Sequence, residues 1–210
     1  MATRATRKPA TSALDAFHPA VQRWFAESFA EPTAAQQGAW PAIASGNNTL
    51  LLAPTGSGKT LAAFLVAIDR LMFTPRPAGQ TEGVRVLYIS PLKALAVDVE
   101  RNLRAPLAGV RAVAQRDDIP YHLPQIAVRS GDTPSSDRYR HTKTPPEILI
   151  TTPESLFLLL TSRSREILRS VETVIIDEIH SLVGTKRGAH LFFSLERLER
   201  LRQEDRKSVV

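Results

Sequence analysis

A chain of 210 residues is long enough to bury a sizeable core without disulfide or metal staples. With 43% hydrophobic and 23% charged residues it is neither disordered nor fibrous, and its longest strictly apolar run, Leu61 to Ile68, is too short to span a bilayer, so no membrane partner is expected. The absence of cysteine excludes a disulfide scaffold, a thiolate nucleophile, an iron–sulfur cluster and every cysteine-ligated zinc site, and it suits a cytoplasmic location.

In chain order, residues 1–12 read as a disordered basic tail: no secretory-signal pattern follows Met1, and Arg4, Arg7 and Lys8 carry half of the net charge of +6. The body is left at +3, a weak pull on nucleic acid, and its local excess of eight basic over five acidic residues across 101–150 reads as a solvated face. Leu14, Phe17, Val21, Trp24 and Phe25 form the stripe of an amphipathic helix, and a second helix is predicted over 34–44 after the loop Glu31-Pro32-Thr33. Thr49 to Ala53 reads as a short strand running into a Gly-rich turn, with a helix from Thr60 to Phe73 and a flexible connection over 74–83. A strand is predicted over 84–90 and a helix over 94–103, with an irregular stretch over 106–124 that holds at most a short helix near 110–115. Three further β-branched runs, 125–129, 147–152 and 172–177, read as buried strands, with helices near 156–160, 165–168 and 188–201. This alternation predicts an α/β fold, a parallel sheet with helices on both faces, forming one domain over 13–203 whose ligands gather at the carboxyl ends of the strands. Residues 204–210, without apolar period, read as a tail.

The chemistry concentrates in two motifs. Ala53-Pro54-Thr55-Gly56-Ser57-Gly58-Lys59-Thr60 ends a predicted strand and opens a helix, which aims successive backbone N–H groups at an anion. Thr55, Gly56, Ser57 and Gly58 let the backbone wrap a polyphosphate, Lys59 brings a point charge to the β and γ phosphates, and the Thr60 hydroxyl can ligate Mg2+. The second motif, Thr173 to His180, is a buried run ending in Asp177 and Glu178. Asp177 can hold the Mg2+ shell beside Thr60, Glu178 can orient and deprotonate a water for attack on the γ phosphate, and His180 is a candidate coupling residue. A polyphosphate with β and γ phosphates, held with Mg2+, is therefore the expected ligand.

At these residues the sequence resembles the superfamily 2 helicases, whose first RecA-like domain carries a phosphate loop of the form A-x-x-G-x-G-K-T and an acidic DExH motif. The resemblance implies further roles in the expected order. Phe29-Ala30-Glu31-Pro32-Thr33-Ala34-Ala35-Gln36 is similar to the adenine-recognising Q motif, with Phe29, Thr33 and Gln36 as binding residues. Ser90-Pro91-Leu92-Lys93, Ser130-Gly131-Asp132-Thr133 and Thr151-Thr152-Pro153-Glu154 resemble three contacts to a single-stranded backbone, implying nucleic-acid binding by Pro91, Lys93, Gly131, Thr152 and Pro153. PTAAQQGAWPAIASG, SPLKALAVDVERNL, LITTPESL and DEIHSLVGTKRGAHL look like the large helicase-related (Lhr) family's version of these motifs. That resemblance implies an ATP-driven translocase on single-stranded DNA or RNA, with DNA the first choice. It also implies a Ser-Ala-Thr motif, a second RecA-like domain and further domains not among these 210 residues. The alternatives are a fragment that binds nucleotide and nucleic acid without turnover, and a DEAD-box-type RNA helicase domain.

Overall fold

The computed structural model describes residues 12–76 and 82–207; the expected tail over 1–11, the centre of the 74–83 connection at 77–81 and the last three residues lie outside the described residues. Four parallel strands, β1 (Val86–Ile89), β2 (Ile126–Arg129), β3 (Ile148–Thr151) and β4 (Thr173–Ile176), lie in the spatial order β2-β3-β1-β4. Seven α-helices are described: α1 (Pro19–Ser28), α2 (Ala34–Ala44), α3 (Lys59–Phe73), α4 (Lys93–Arg116), α5 (Ser135–Lys143), α6 (Pro153–Leu160) and α7 (Lys186–Lys207). None of them is long and apolar enough to cross a membrane.

Two cores flank the sheet, and strand periodicity explains both. Val86, Tyr88, Ile148 and Ile150 face the larger core with apolar residues of α1, α3 and α4, while Leu87, Ile89 and Leu149 face the smaller one with α6 and α7. Alternate side chains point to opposite faces, so strands covered on both sides read as unbroken apolar runs. The parallel α/β architecture is therefore the one expected.

Local chemistry sets the helix boundaries. The expected lead-in helix is broken in two, a 3-10 turn over Ala13–Ala16 and then α1, because His18 precedes Pro19 and is pushed to extended backbone. His18 then caps α1 through Nδ1, donates its N–H to Asp69 at 2.7 Å and stacks on Phe73. The expected short helix over 94–103 is corrected to the 24 residues of α4, which runs through Pro106. Leu103, Leu107, Val110 and Val113 continue one buried face across the proline, and their burial exceeds the roughly 3 kcal/mol that an interior proline costs. α5, nearly all polar, offers no apolar period and escaped the sequence reading. α7 continues to Lys207, four residues into the stretch read as a tail.

The expected strand at 49–53 is also corrected. It has no regular secondary structure and pairs with no strand among the described residues, with Leu50 69% and Leu52 81% exposed. An apolar run becomes a strand only where another strand presents a hydrogen-bonding edge, and in this sheet β1 to β4 pair only with one another.

At the start of α7, a Cβ on Gly188 would stand 1.9 Å from the Leu182 carbonyl oxygen. Backbone, not a flexible side chain, blocks the position. Gly188→Ala is expected to destabilise the fold by about 1–3 kcal/mol, lowering Tm by roughly 2–4 °C per kcal/mol in a chain of this size. A thermal melt checks it, and an unchanged Tm would show that the turn from Leu182 to α7 yields freely.

Candidate functional site

The four strands end along one edge of the sheet, and four of the sequence motifs follow those ends. Across that edge lie Ser130-Gly131-Asp132 after β2, Thr152-Pro153 after β3, Ser90-Pro91 after β1 and Asp177-Glu178 after β4. The carboxyl ends are stitched together: Thr151 Oγ1 donates to the Arg129 carbonyl at 2.7 Å, Ser90 N to Thr151 O at 2.9 Å, and Asp177 N to Ile89 O at 2.9 Å.

The Gly-rich turn from Thr55 to Gly58 leads into α3. Gly56 and Gly58 sit at φ of +81° and +80°, the left-handed region that favours glycine, and Gly58 caps α3 without a side-chain hydrogen bond. The first N–H groups of a fifteen-residue helix are thus left for a ligand. Ser57 closes the turn, donating Oγ to Pro54 O at 2.7 Å, and Lys59 folds its ammonium onto Ala53 O at 2.6 Å.

The α2 N-terminus clasps this turn. Thr33 and Gln36 form a reciprocal capping box, the Thr33 hydroxyl also donates to Ser57 O at 2.8 Å, and Gln36 Nε2 reaches Gly58 O at 3.5 Å. Gln36 is buried, and both ends of its amide are spent on protein rather than held open toward a base. Phe29 packs edge-on to Trp24 and lies against Phe25, yet leaves 44% of its surface exposed.

After β4, Asp177 accepts the Glu178 N–H on Oδ1 at 3.0 Å and the Tyr88 hydroxyl on Oδ2. Glu178 itself sits at φ 48°, ψ 39°, a left-handed conformation costing on the order of 1–3 kcal/mol for a residue with a Cβ. That strain turns the chain sharply out of the sheet and leaves Glu178 half-exposed, with His180 Nε2 3.3 Å from its carboxylate. Tyr88 was missed by sequence reading because an aromatic inside an apolar strand gives the same signal as core packing.

Among the residues expected to touch nucleic acid, the structure separates surface from support. Lys93 is exposed and pairs with Asp132 at 2.7 Å, close to Gly131, so two of the loops meet. The side chains of Pro91, Thr152 and Pro153 are buried rather than on the surface. Thr152 instead caps α6, accepting the Ser155 N–H at 3.4 Å, and Pro153 occupies the first turn, where a missing N–H costs nothing. Beside them Arg187 of α7 donates to Glu154 at 3.0 Å and holds that carboxyl below the usual range. Asp132 and Glu154 trim the positive potential of this edge, which composition alone did not reveal.

Comparison with known proteins agrees with this layout. The profile of the DEAD/DEAH box helicase family matches residues 33–210. The chain is 60% identical over 188 residues to the Lhr helicase/probable uracil glycosylase of Mycolicibacterium smegmatis and 51% identical over 197 residues to the Lhr helicase/uracil glycosylase of Escherichia coli. Those alignments cover 90% and 92% of this chain but only 12% and 13% of the relatives. Among solved structures, Mycobacterium smegmatis helicase Lhr bound to single-stranded DNA and AMP-PNP superposes with a TM-score of 0.86 at 57% identity, over 91% of this chain and 24% of that one.

Proposed function

The chain belongs to the DEAD/DEAH box helicase family, and we propose that it is the first RecA-like motor domain, residues 13–203, of an Lhr-type ATP-dependent helicase that translocates on single-stranded DNA. One observation carries the reading: a Gly-rich turn opens onto the uncapped N-terminus of α3, while an Asp-Glu pair and two surface loops joined by Lys93 and Asp132 stand at the strand ends of one RecA-like sheet. The choice of DNA over RNA rests on the single-stranded DNA bound by the Mycobacterium smegmatis relative. The cysteine-free composition suits the cytoplasm.

The donor set fits Mg-ATP. Thr60 and Asp177 offer hard oxygens, and Asp177 keeps lone pairs beyond its two protein hydrogen bonds. Among the described residues no group of three or more His, Asp or Glu forms a metal cage, as suits Mg2+, which is commonly held by one or two carboxylates plus substrate phosphates. When bound, Mg2+ neutralises charge on the transferring phosphoryl group. Lys59 leaves Ala53 O to contact the phosphates, the backbone from Gly56 to Thr60 donates N–H bonds to them, and Glu178 orients and deprotonates the attacking water. Phe29 offers its exposed face to adenine, while Thr33 and Gln36 hold the turn that grips the phosphates. His180, bonded to Glu178, couples that carboxylate to the following chain.

Nucleic acid is held mainly by helix N-termini and backbone, with few free cations. Binding is expected to be indifferent to base sequence and only shallowly salt-dependent. About two released counterions give a slope of log K on log salt of roughly −1.4 for a single strand. Fluorescence anisotropy of labelled single-stranded DNA and RNA across a salt series, with and without a non-hydrolysable nucleotide, is the test. A slope several times steeper would move the binding onto the basic N-terminal residues or 101–150, and RNA bound more tightly than DNA would overturn the choice of substrate.

A further inference from the structure

Tyr88 is the third residue of β1, opposite Ile175 of β4, and is 2% exposed. Its ring lies against Phe64 of α3, centroids 5.0 Å apart and planes 26° from parallel. Phe64 follows Thr60 by four residues, so the two share one face of α3. The hydroxyl of Tyr88 donates to Asp177 Oδ2, while the other carboxylate oxygen takes the Glu178 N–H. One side chain therefore touches both elements that carry the expected metal ligands: the helix of Thr60 through its ring and the carboxylate of Asp177 through its oxygen.

A buried phenol needs a partner, and a carboxylate is a strong one. The bond removes the rotation of the Asp177 carboxylate about its last torsion, which is broad and soft in an unrestrained aspartate. Groups that orient a metal-binding carboxylate in this way act on affinity without touching the ion. Core packing alone would be served as well by phenylalanine, which fills the same space against Phe64 and leaves Asp177 Oδ2 free.

We propose that Tyr88 is a positioning residue of the nucleotide site: its hydroxyl fixes the Asp177 carboxylate, and its ring fixes α3, at the separation that lets Asp177 and Thr60 share one divalent cation. The inference rests on the reading of Asp177 and Thr60 as ligands given under the proposed function.

The test is nucleotide binding, not turnover. A fluorescent, non-hydrolysable ATP analogue is titrated into the full-length protein and its Tyr88→Phe variant, at fixed nucleotide over a Mg2+ series and in EDTA. In wild type, Mg2+ is expected to tighten binding. In Tyr88→Phe the affinity in EDTA should stay within about twofold, while the Mg2+ concentration giving half the tightening should rise about 10- to 100-fold, the range for loss of an outer-shell partner. A double-mutant cycle separates this from a packing effect: in an Asp177→Asn background, Tyr88→Phe should change the Mg2+ response no further. An unchanged Mg2+ midpoint in Tyr88→Phe, or an equal loss with and without Asp177, overturns the positioning role and leaves the site reading intact. Wild-type binding indifferent to Mg2+ overturns the site reading and this proposal with it.

Discussion

Purified by itself, this 210-residue chain is expected to bind Mg-ATP but to release phosphate at a rate about 10³–10⁵-fold below that of the complete enzyme, with no response to single-stranded DNA. The described site supplies ground-state contacts: N–H groups at the α3 N-terminus, Lys59, and Asp177 held by Tyr88. Around the acidic pair, Tyr88 donates to Asp177 and His180 Nε2 lies 3.3 Å from the Glu178 carboxylate. Charge building on the γ phosphate in the transition state would then lack an arginine, and in P-loop enzymes an arginine delivered from outside the nucleotide domain is worth that factor. The resemblance to Lhr helicases implies that such arginines come from a second RecA-like domain, and the chain spans only 12–13% of the two Lhr relatives it was compared with. Phosphate release from the isolated chain, with and without an oligonucleotide, decides the matter. Strong stimulated turnover, lost on Glu178→Gln, would show that the chain is a complete catalyst.

The second large effect separates the two charged groups of the site. In the full-length protein, Glu178→Gln should lower kcat by about 10²–10⁴-fold, the range for loss of a general base, with nucleotide affinity within about twofold. The substitution preserves side-chain length and the left-handed backbone at 178, so the strained turn out of β4 and the hydrogen bond to Asp177 Oδ1 persist. Lys59→Ala should instead weaken nucleotide binding itself, by about 10- to 100-fold, because a charge-assisted contact to phosphate is made already in the ground state. Titration with a fluorescent nucleotide beside a turnover assay distinguishes the two. Equal loss of binding in both variants would remove Glu178 from the role of base.

Both expectations start from motifs that were legible without a structure, because their chemistry depends on short-range spacing. Gly56, Gly58, Lys59 and Thr60 act through consecutive backbone positions at a helix start, and Asp177 and Glu178 are neighbours in the chain. The loops expected to hold nucleic acid were legible as strand ends, but their side-chain packing was not. Pro91, Thr152 and Pro153 stand at the expected strand ends with their side chains buried, and Thr152 and Pro153 begin α6. Lys93, expected to touch nucleic acid, is exposed, yet its partner Asp132 lies 39 residues away and no local pattern links them.

The sequence by itself determined the parallel α/β class, the strands β1 to β4 to within two residues at either end, the helices α2 and α3, and the place of the Gly-rich turn before α3. Each of these follows from periodicity, capping residues or glycine placement, which act over a few neighbouring positions. Only the tertiary structure decided that α4 runs through Pro106, that 49–53 remains unpaired, that Gln36 spends its amide on the phosphate turn, and that Tyr88 holds Asp177. Those outcomes turn on burial against distant elements, on whether a strand edge is within reach, and on hydrogen bonds between groups 22 to 89 residues apart. Free energies of that kind are set by contacts that exist only after the sheet has assembled.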